Sequence, residues 1–203
     1  MTMKEFKSNE EMIIGEAVII DSEGEESLIN EVETLSEGEL SDLLNQLQEL
    51  DSESEFSKEE LDLEPEESEG EIASKDTSAS KTARLMLKLV NGVRRKRGVP
   101  PLRLDARLTA AAQAHSNDMA RRRRISHKGS DGSTATQRSR RQGYQGQAGE
   151  NVASGQTSVK AVMVAWMRSP RHRRNILNRA YKDLGVGYAK NGRWYWTQVF
   201  GLR

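Results

Sequence analysis

Residues 184–201 read LGVGYAKNGRWYWTQVFG. Two apolar and aromatic runs, Leu184 to Ala189 and Trp194 to Phe200, flank Lys190-Asn191-Gly192-Arg193. Asn-Gly between such runs is the strongest short-range hairpin signal, because both residues tolerate the positive φ that a tight turn needs. The chain is therefore expected to close in two antiparallel strands.

Upstream the period changes to a helical one. A helix is expected over Thr82 to Arg97, with Leu85, Met86, Leu89, Val90 and Val93 as its apolar stripe and Gly98 as its stop. A second follows Asp105, whose carboxylate caps it, and aligns Leu108, Ala111, Ala112, His115 and Met119. Inside that stripe His115 reads as a packed histidine bonded within the fold, and Arg121, Arg122, Arg123 and Arg124 then extend into solvent. A short helix is expected over Thr134 to Arg141, stopped by Gly143. A longer one has Ser158 as N-cap and carries Val159, Val162, Met163 and Trp166 inward before Pro170 breaks it. Helices first and strands late predict a layered α+β domain over residues 81–203.

Charge separates that domain from what precedes it. Residues 1–80 hold 26 acidic and 4 basic residues, whereas residues 81–203 hold 5 acidic and 27 basic ones, so the net charge of zero conceals two opposed blocks. The acidic block is rich in Glu and Ser and has only Phe6 and Phe56 as aromatics, so residues 21–80 are expected to be largely disordered. Two islands interrupt it. MIIGEAVII (12–20) is a candidate strand, and the segment 39–50 places Leu40, Leu43, Leu44 and Leu47 on one face of a candidate helix. No signal peptide is visible, no apolar run has the length that spans a bilayer, and the absence of cysteine excludes disulfides and thiol chemistry.

Three segments carry the polar chemistry: ISHKGSDG (125–132), GENVASG (149–155) and WMRSPRHRRNIL (166–177). All three histidines of the chain lie in its second half. Gly, Ser and Pro punctuation predicts that His127, Glu150 and His172 sit on loops around one polar site.

Together with LGVGYA and YWTQVFG, these segments resemble the bacterial-type CAP superfamily, which groups cysteine-rich secretory proteins, antigen-5 allergens and pathogenesis-related proteins. The resemblance covers about Ala83 to Gly201 and implies a three-layer α-β-α sandwich (CAP/SCP-like) behind the extension of residues 1–80. It also implies a central cleft built from two His and two Glu. His127, Glu150 and His172 match three of those positions, Ser169 stands where the second Glu is expected, and Asn151 follows Glu150 in the cleft motif. Arg171 replaces the small residue usual before the second His. Family members are mostly non-enzymatic binders of small hydrophobic ligands, glycans or proteins and are usually secreted, which implies an extracellular or envelope setting.

The residues allow two readings of this site. His127 and His172 as neutral imidazoles suit Zn²⁺ or another divalent metal, weakly held with Glu150 as an outer partner. Alternatively the three side chains hydrogen-bond the segments around the cleft. The domain's sparse acids (Asp105, Asp118, Asp131, Glu150 and Asp183) leave little for paired-carboxylate catalysis, so the reading leans away from an enzyme, with a metal-dependent hydrolase or protease as the remaining catalytic alternative. The arginine runs, Arg94 to Arg97, Arg121 to Arg124, Arg138 to Arg141 and Arg171 to Arg174, support a different class: a basic binder of anionic polymers or membranes, regulated by the acidic half. No specific nucleic-acid motif accompanies them.

Overall fold

The protein, described from a computed structural model, is defined at residues 72–203, at 18–20 and 26–27, and at the helical positions Gly38, Ser41, Asp42 and Asn45. The candidate strand over 12–20 is described at Val18–Ile20 only. Leu40, Leu43, Leu44, Leu47 and most of the acidic extension lie outside the described residues.

Among the described residues, six strands make one sheet. They are β1 (Val18–Ile20), β2 (Glu26–Ser27), β3 (Arg103–Leu104), β4 (Gln147–Ser154), β5 (Asp183–Asn191) and β6 (Arg193–Leu202), in the order β2-β1-β4-β6-β5-β3. Among the described residues, five helices of defined extent accompany it: α1 (Ile72–Lys96), α2 (Ala106–Arg122), α3 (Ala135–Arg141), α4 (Val159–Arg168) and α5 (Pro170–Leu177). The expected hairpin is β5–β6, with Lys190 opposite Trp194 and Gly192 at the apex with φ 75°. Asp105 and Ser158 cap α2 and α4 as the sequence predicts, and Thr134, expected as the first residue of α3, is instead its N-cap. Pro170 ends one helix and opens the next, since its fixed φ suits a first helical turn that needs no N–H.

Alternation along the strands assigns the layers. Leu184 and Val186 of β5 and Trp196 and Phe200 of β6 pack with Met86, Val90, Val93, Val162, Met163 and Trp166, so α1, α4 and α5 lie on one face. On the other, Val152, Tyr195 and Val199 meet Leu108, Ala112 and Met119 of α2. The result is an α-β-α sandwich. Trp166 and Trp196 are fully buried, and their indole N–H groups donate to the carbonyls of Val152 and Gln156.

Three features depart from the sequence reading. First, α1 begins at Ile72, ten residues before Thr82, within the segment expected to be disordered. Residues 72–81 have no apolar stripe to reveal a helix. They extend one that the packed half has already nucleated, and propagation costs far less than initiation. Second, GENVASG is not a loop but lies in β4, held between β6 and β1 along its edges. Third, Arg94, counted among the surface arginines, is fully buried.

Among the described residues, Arg94 is held by carbonyls rather than by a carboxylate. Its guanidinium donates to the carbonyls of Pro100 (2.7 Å), Ile176 (2.7 Å), Asn178 (2.9 Å) and Tyr181 (3.4 Å), fastening the end of α1 to the segment after α5. Burial, with the nearby positive charge of Arg179 second, lowers its pKa to about 10, so it remains charged at neutral pH.

Candidate functional site

Glu150 projects from the middle of β4 toward the α2 face, and its carboxylate is enclosed by positively charged or protonatable groups. Oε1 accepts from His127 Nδ1 at 2.8 Å, and Oε2 accepts from the Arg138 guanidinium at 2.5 Å. His115 Nε2 lies 3.8 Å from Oε1. Each neighbour arrives from a different element: His115 from α2, His127 from the segment after α2, and Arg138 from α3. Arg138 also donates to the carbonyls of Ser133 and His127, so one guanidinium fixes the carboxylate and the backbone that carries the imidazole. With Nδ1–H donating to Glu150, the neutral His127 ring carries its lone pair on Nε2.

His172 belongs to a second cluster. It lies in α5, not in a loop, and its Nδ1 pairs with the Ser169 hydroxyl at 2.7 Å. Its carbonyl accepts from Asn151 Nδ2, and Asn151 follows Glu150 on the strand and so points to the opposite face. Asn175 joins the two clusters, donating to the Glu150 carbonyl at 3.1 Å and to Asn151 Oδ1 at 2.9 Å. The structure thus pairs His127 with Glu150 and the His172 ring with Ser169, and Asn175 links the two groups. Of the surface arginines, Arg121 and Arg122 pair with Asp118, while Arg123 and Arg124 are exposed and Arg123 closes α2 in the left-handed region at φ 51°.

Sequence reasoning missed two members of the Glu150 cluster. Arg138 was grouped with exposed Arg140 and Arg141, yet it is buried with Ala135 and Ser139, three and four residues apart along one face of α3. That spacing was the available signal. His115 is packed and bonded to the Ser126 carbonyl at 2.7 Å, as expected, but it also reaches the carboxylate.

Burial alone would push the Glu150 carboxyl up. The His127 hydrogen bond, the charge of His115 when that ring is protonated, and the charge of Arg138 outweigh it, and the carboxyl stays below its usual range. His115 moves in the same direction for a different reason: desolvation lowers it, against the opposing pull of Glu150. His115 is therefore neutral near pH 7, and the standing support of the carboxylate comes from His127 and Arg138. A histidine whose folded pKa lies below its unfolded value of about 6.5 contributes stability above that pH, which is lost as pH falls toward the folded value. Denaturant unfolding is expected to show stability declining below about pH 6.5, with a shallower decline in His115→Leu. An identical slope in the variant would remove His115 as the source.

A sequence profile of the cysteine-rich secretory protein family matches residues 87–200, more than half of the chain. The protein belongs to the CAP family. A Bacillus subtilis relative, the uncharacterized protein YkwD, is 36% identical over 125 residues, which are 61% of this chain and 48% of that protein. The uncharacterized membrane protein YlbC of the same organism is 34% identical over 117 residues, 57% of this chain and 33% of that one. This CAP chain thus spans less than half the length of either curated relative. Among solved structures, an extracellular SCP-domain protein from Bacillus anthracis strain Ames superposes with a TM-score of 0.59 at 28% identity, covering 67% of this chain and 45% of that one. The family is named for cysteine, yet this CAP domain has none, so buried side chains and networks such as that of Arg94 hold it together.

Glu150 is not placed to ligate a divalent cation directly; the expected ligands are His127 and His172, with Glu150 as an outer partner, and its bond to His127 Nδ1 is compatible with that place. Arg138 and His127 already occupy the two carboxylate oxygens, and a buried carboxylate bonded to a guanidinium gains little from a second cation. Among the described residues no group of three or more His, Asp or Glu side chains is arranged to hold a metal ion.

Proposed function

We propose that this CAP domain is a non-enzymatic binding module whose ligand contacts the His127 side of the Glu150 cluster. The observation that carries this reading is the state of Glu150. Among the described residues it is the one buried carboxylate beside two imidazoles, and both of its oxygens are engaged by protein groups. A general base needs an oxygen within reach of a substrate proton or a water, and this carboxylate is committed to holding His127. His127, with 16% of its side chain exposed, is the member of the cluster that reaches solvent. The ligand class implied by the family is a small hydrophobic molecule, a glycan or a protein. An extracellular or envelope setting is supported by the extracellular relative from Bacillus anthracis and by the membrane relative from Bacillus subtilis. Among the described residues no helix is long and apolar enough to cross a membrane.

Calorimetric titration of the full chain with zinc, followed by fatty-acid and glycan binding to wild type and His127→Ala, tests this reading. The expected result is no tight saturable zinc isotherm, together with ligand capture that falls at least tenfold in a folded His127→Ala protein, about the worth of one charge-assisted hydrogen bond. A one-site zinc isotherm abolished by His127→Ala would overturn it in favour of a metal centre. Ligand binding untouched by the substitution would move the site elsewhere.

A further inference from the structure

Residues 81–203 hold 5 carboxylate side chains against 27 basic residues, and all five carboxylates are engaged inside the fold. Asp105 pairs with Arg107, Asp118 with Arg121 and Arg122, and Asp131 with Arg141. Glu150 pairs with Arg138 and His127, and Asp183 with Arg203 and Tyr144. Basic side chains thus outnumber acidic ones within residues 81–203, and at one end they are concentrated.

At that end α1 stops, α5 runs into β5, and β3 begins. Gly98, just after α1, accepts from the Arg179 guanidinium, and the Arg103 N–H donates to the Lys182 carbonyl at 3.0 Å. Exposed Arg95, Arg97, Arg103, Arg179 and Lys182 therefore converge from three separate stretches of chain. Favourable placement of cations at a helix C-terminus explains Arg95 and Arg97. It does not explain Arg103, Arg179 and Lys182, which lie outside that helix.

A second feature coincides with the first. Among the described residues, the large apolar side chains that stand out into solvent are Leu104 and Leu202, 36% and 38% exposed. Both belong to this end. Leu104 is in register with Leu184 and, across β5, with Phe200, two residues before Leu202, so the two leucines point to the same face of the sheet. Lys182 lies between them, its N–H donating to the Gly201 carbonyl and its carbonyl accepting from Arg103. Cations surrounding a pair of protruding leucines match an anionic bilayer in both respects. Phosphate headgroups take the charge, and the acyl boundary takes the apolar side chains. A polyanion in water satisfies only the first.

We propose that this end of the domain docks on a bilayer containing anionic lipids, with Leu104 and Leu202 entering the interface. The contact uses neither His127 nor Glu150, so it stands or falls independently of the cleft reading.

The test is co-sedimentation of the full chain with vesicles of equal parts phosphatidylcholine and phosphatidylglycerol, beside vesicles of phosphatidylcholine alone. Binding is expected to the anionic vesicles and not to the neutral ones, weakening as salt rises. Replacing Arg95, Arg97 and Arg103 together by Gln should weaken it about a hundredfold, and Leu104→Ser with Leu202→Ser about tenfold, with circular dichroism unchanged in both. No binding by the wild type overturns the proposal. So does binding that ignores the leucine pair while following the arginines, because the surface would then be a site for soluble polyanions.

Discussion

Glu150→Ala is expected to lower the unfolding free energy by about 3–5 kcal/mol, the cost of leaving a buried charge without its partner. Truncation strands the Arg138 guanidinium, whose side chain is buried beneath α3 and whose remaining bonds go to the carbonyls of Ser133 and His127. It also releases His127 Nδ1. Glu150→Gln keeps an acceptor and fills the same volume, so it should cost less than the alanine variant. Urea unfolding at neutral pH measures both. A loss below about 1 kcal/mol for Glu150→Ala, the range of an exposed pair, would mean that solvent reaches the cluster and that its function cannot depend on exclusion of water.

The second large effect concerns LGVGYA, where two glycines alternate on the α2 face of β5. A Cβ added at Gly187 would stand 2.3 Å from the backbone of Ala112 and Gln113, and one at Gly185 would stand 2.2 Å from the backbone of Leu108. Neither can be relieved by rotating a side chain. Gly187→Ala should therefore push α2 off the sheet and cost about 4 kcal/mol or more. Gly192→Ala separates this effect from backbone strain. Its φ is positive but nothing lies within 4 Å of the added methyl, so the cost should be near 1 kcal/mol. Thermal unfolding of the two variants side by side decides the matter, and equal losses would contradict close approach as the reason for Gly187.

Because α2 carries His115 and leads into His127, that close approach also bears on the site. A helix standing further from β5 would draw both imidazoles away from Glu150, so Gly187→Ala should impair ligand capture as well as stability. The glycine pair was visible in the sequence as a motif, but its purpose was not, since the backbone it admits lies more than seventy residues earlier.

Legibility followed range. The hairpin, the caps at Asp105 and Ser158, and the helix break at Pro170 depend on residues within a few positions of one another, and each was readable. β4 was not. Its Gly, Asn and Ser content resembles a loop, and strand conformation is enforced by pairing with β6 along one edge and β1 along the other. The site divides in the same way. His127, Glu150 and His172 were identifiable as polar groups among structural residues, but Arg138 was hidden in a basic run and His115 in an apolar stripe.

By itself the sequence determined helices α1 to α4 and the closing hairpin, the division into an acidic and a basic half, the resemblance to the CAP fold and the candidates for its polar site. Tertiary structure alone decided that Glu150 answers to His127 and Arg138 rather than to His172, and that Arg94 lies inside while its neighbours remain outside. It also decided that Leu104 and Leu202 share one cationic end. The physical reason is the cost of burying charge. Caps and turns are satisfied by neighbours in the chain, whereas a buried carboxylate or guanidinium is tolerable only where distant segments deliver its partners, and that delivery is a property of the packed fold.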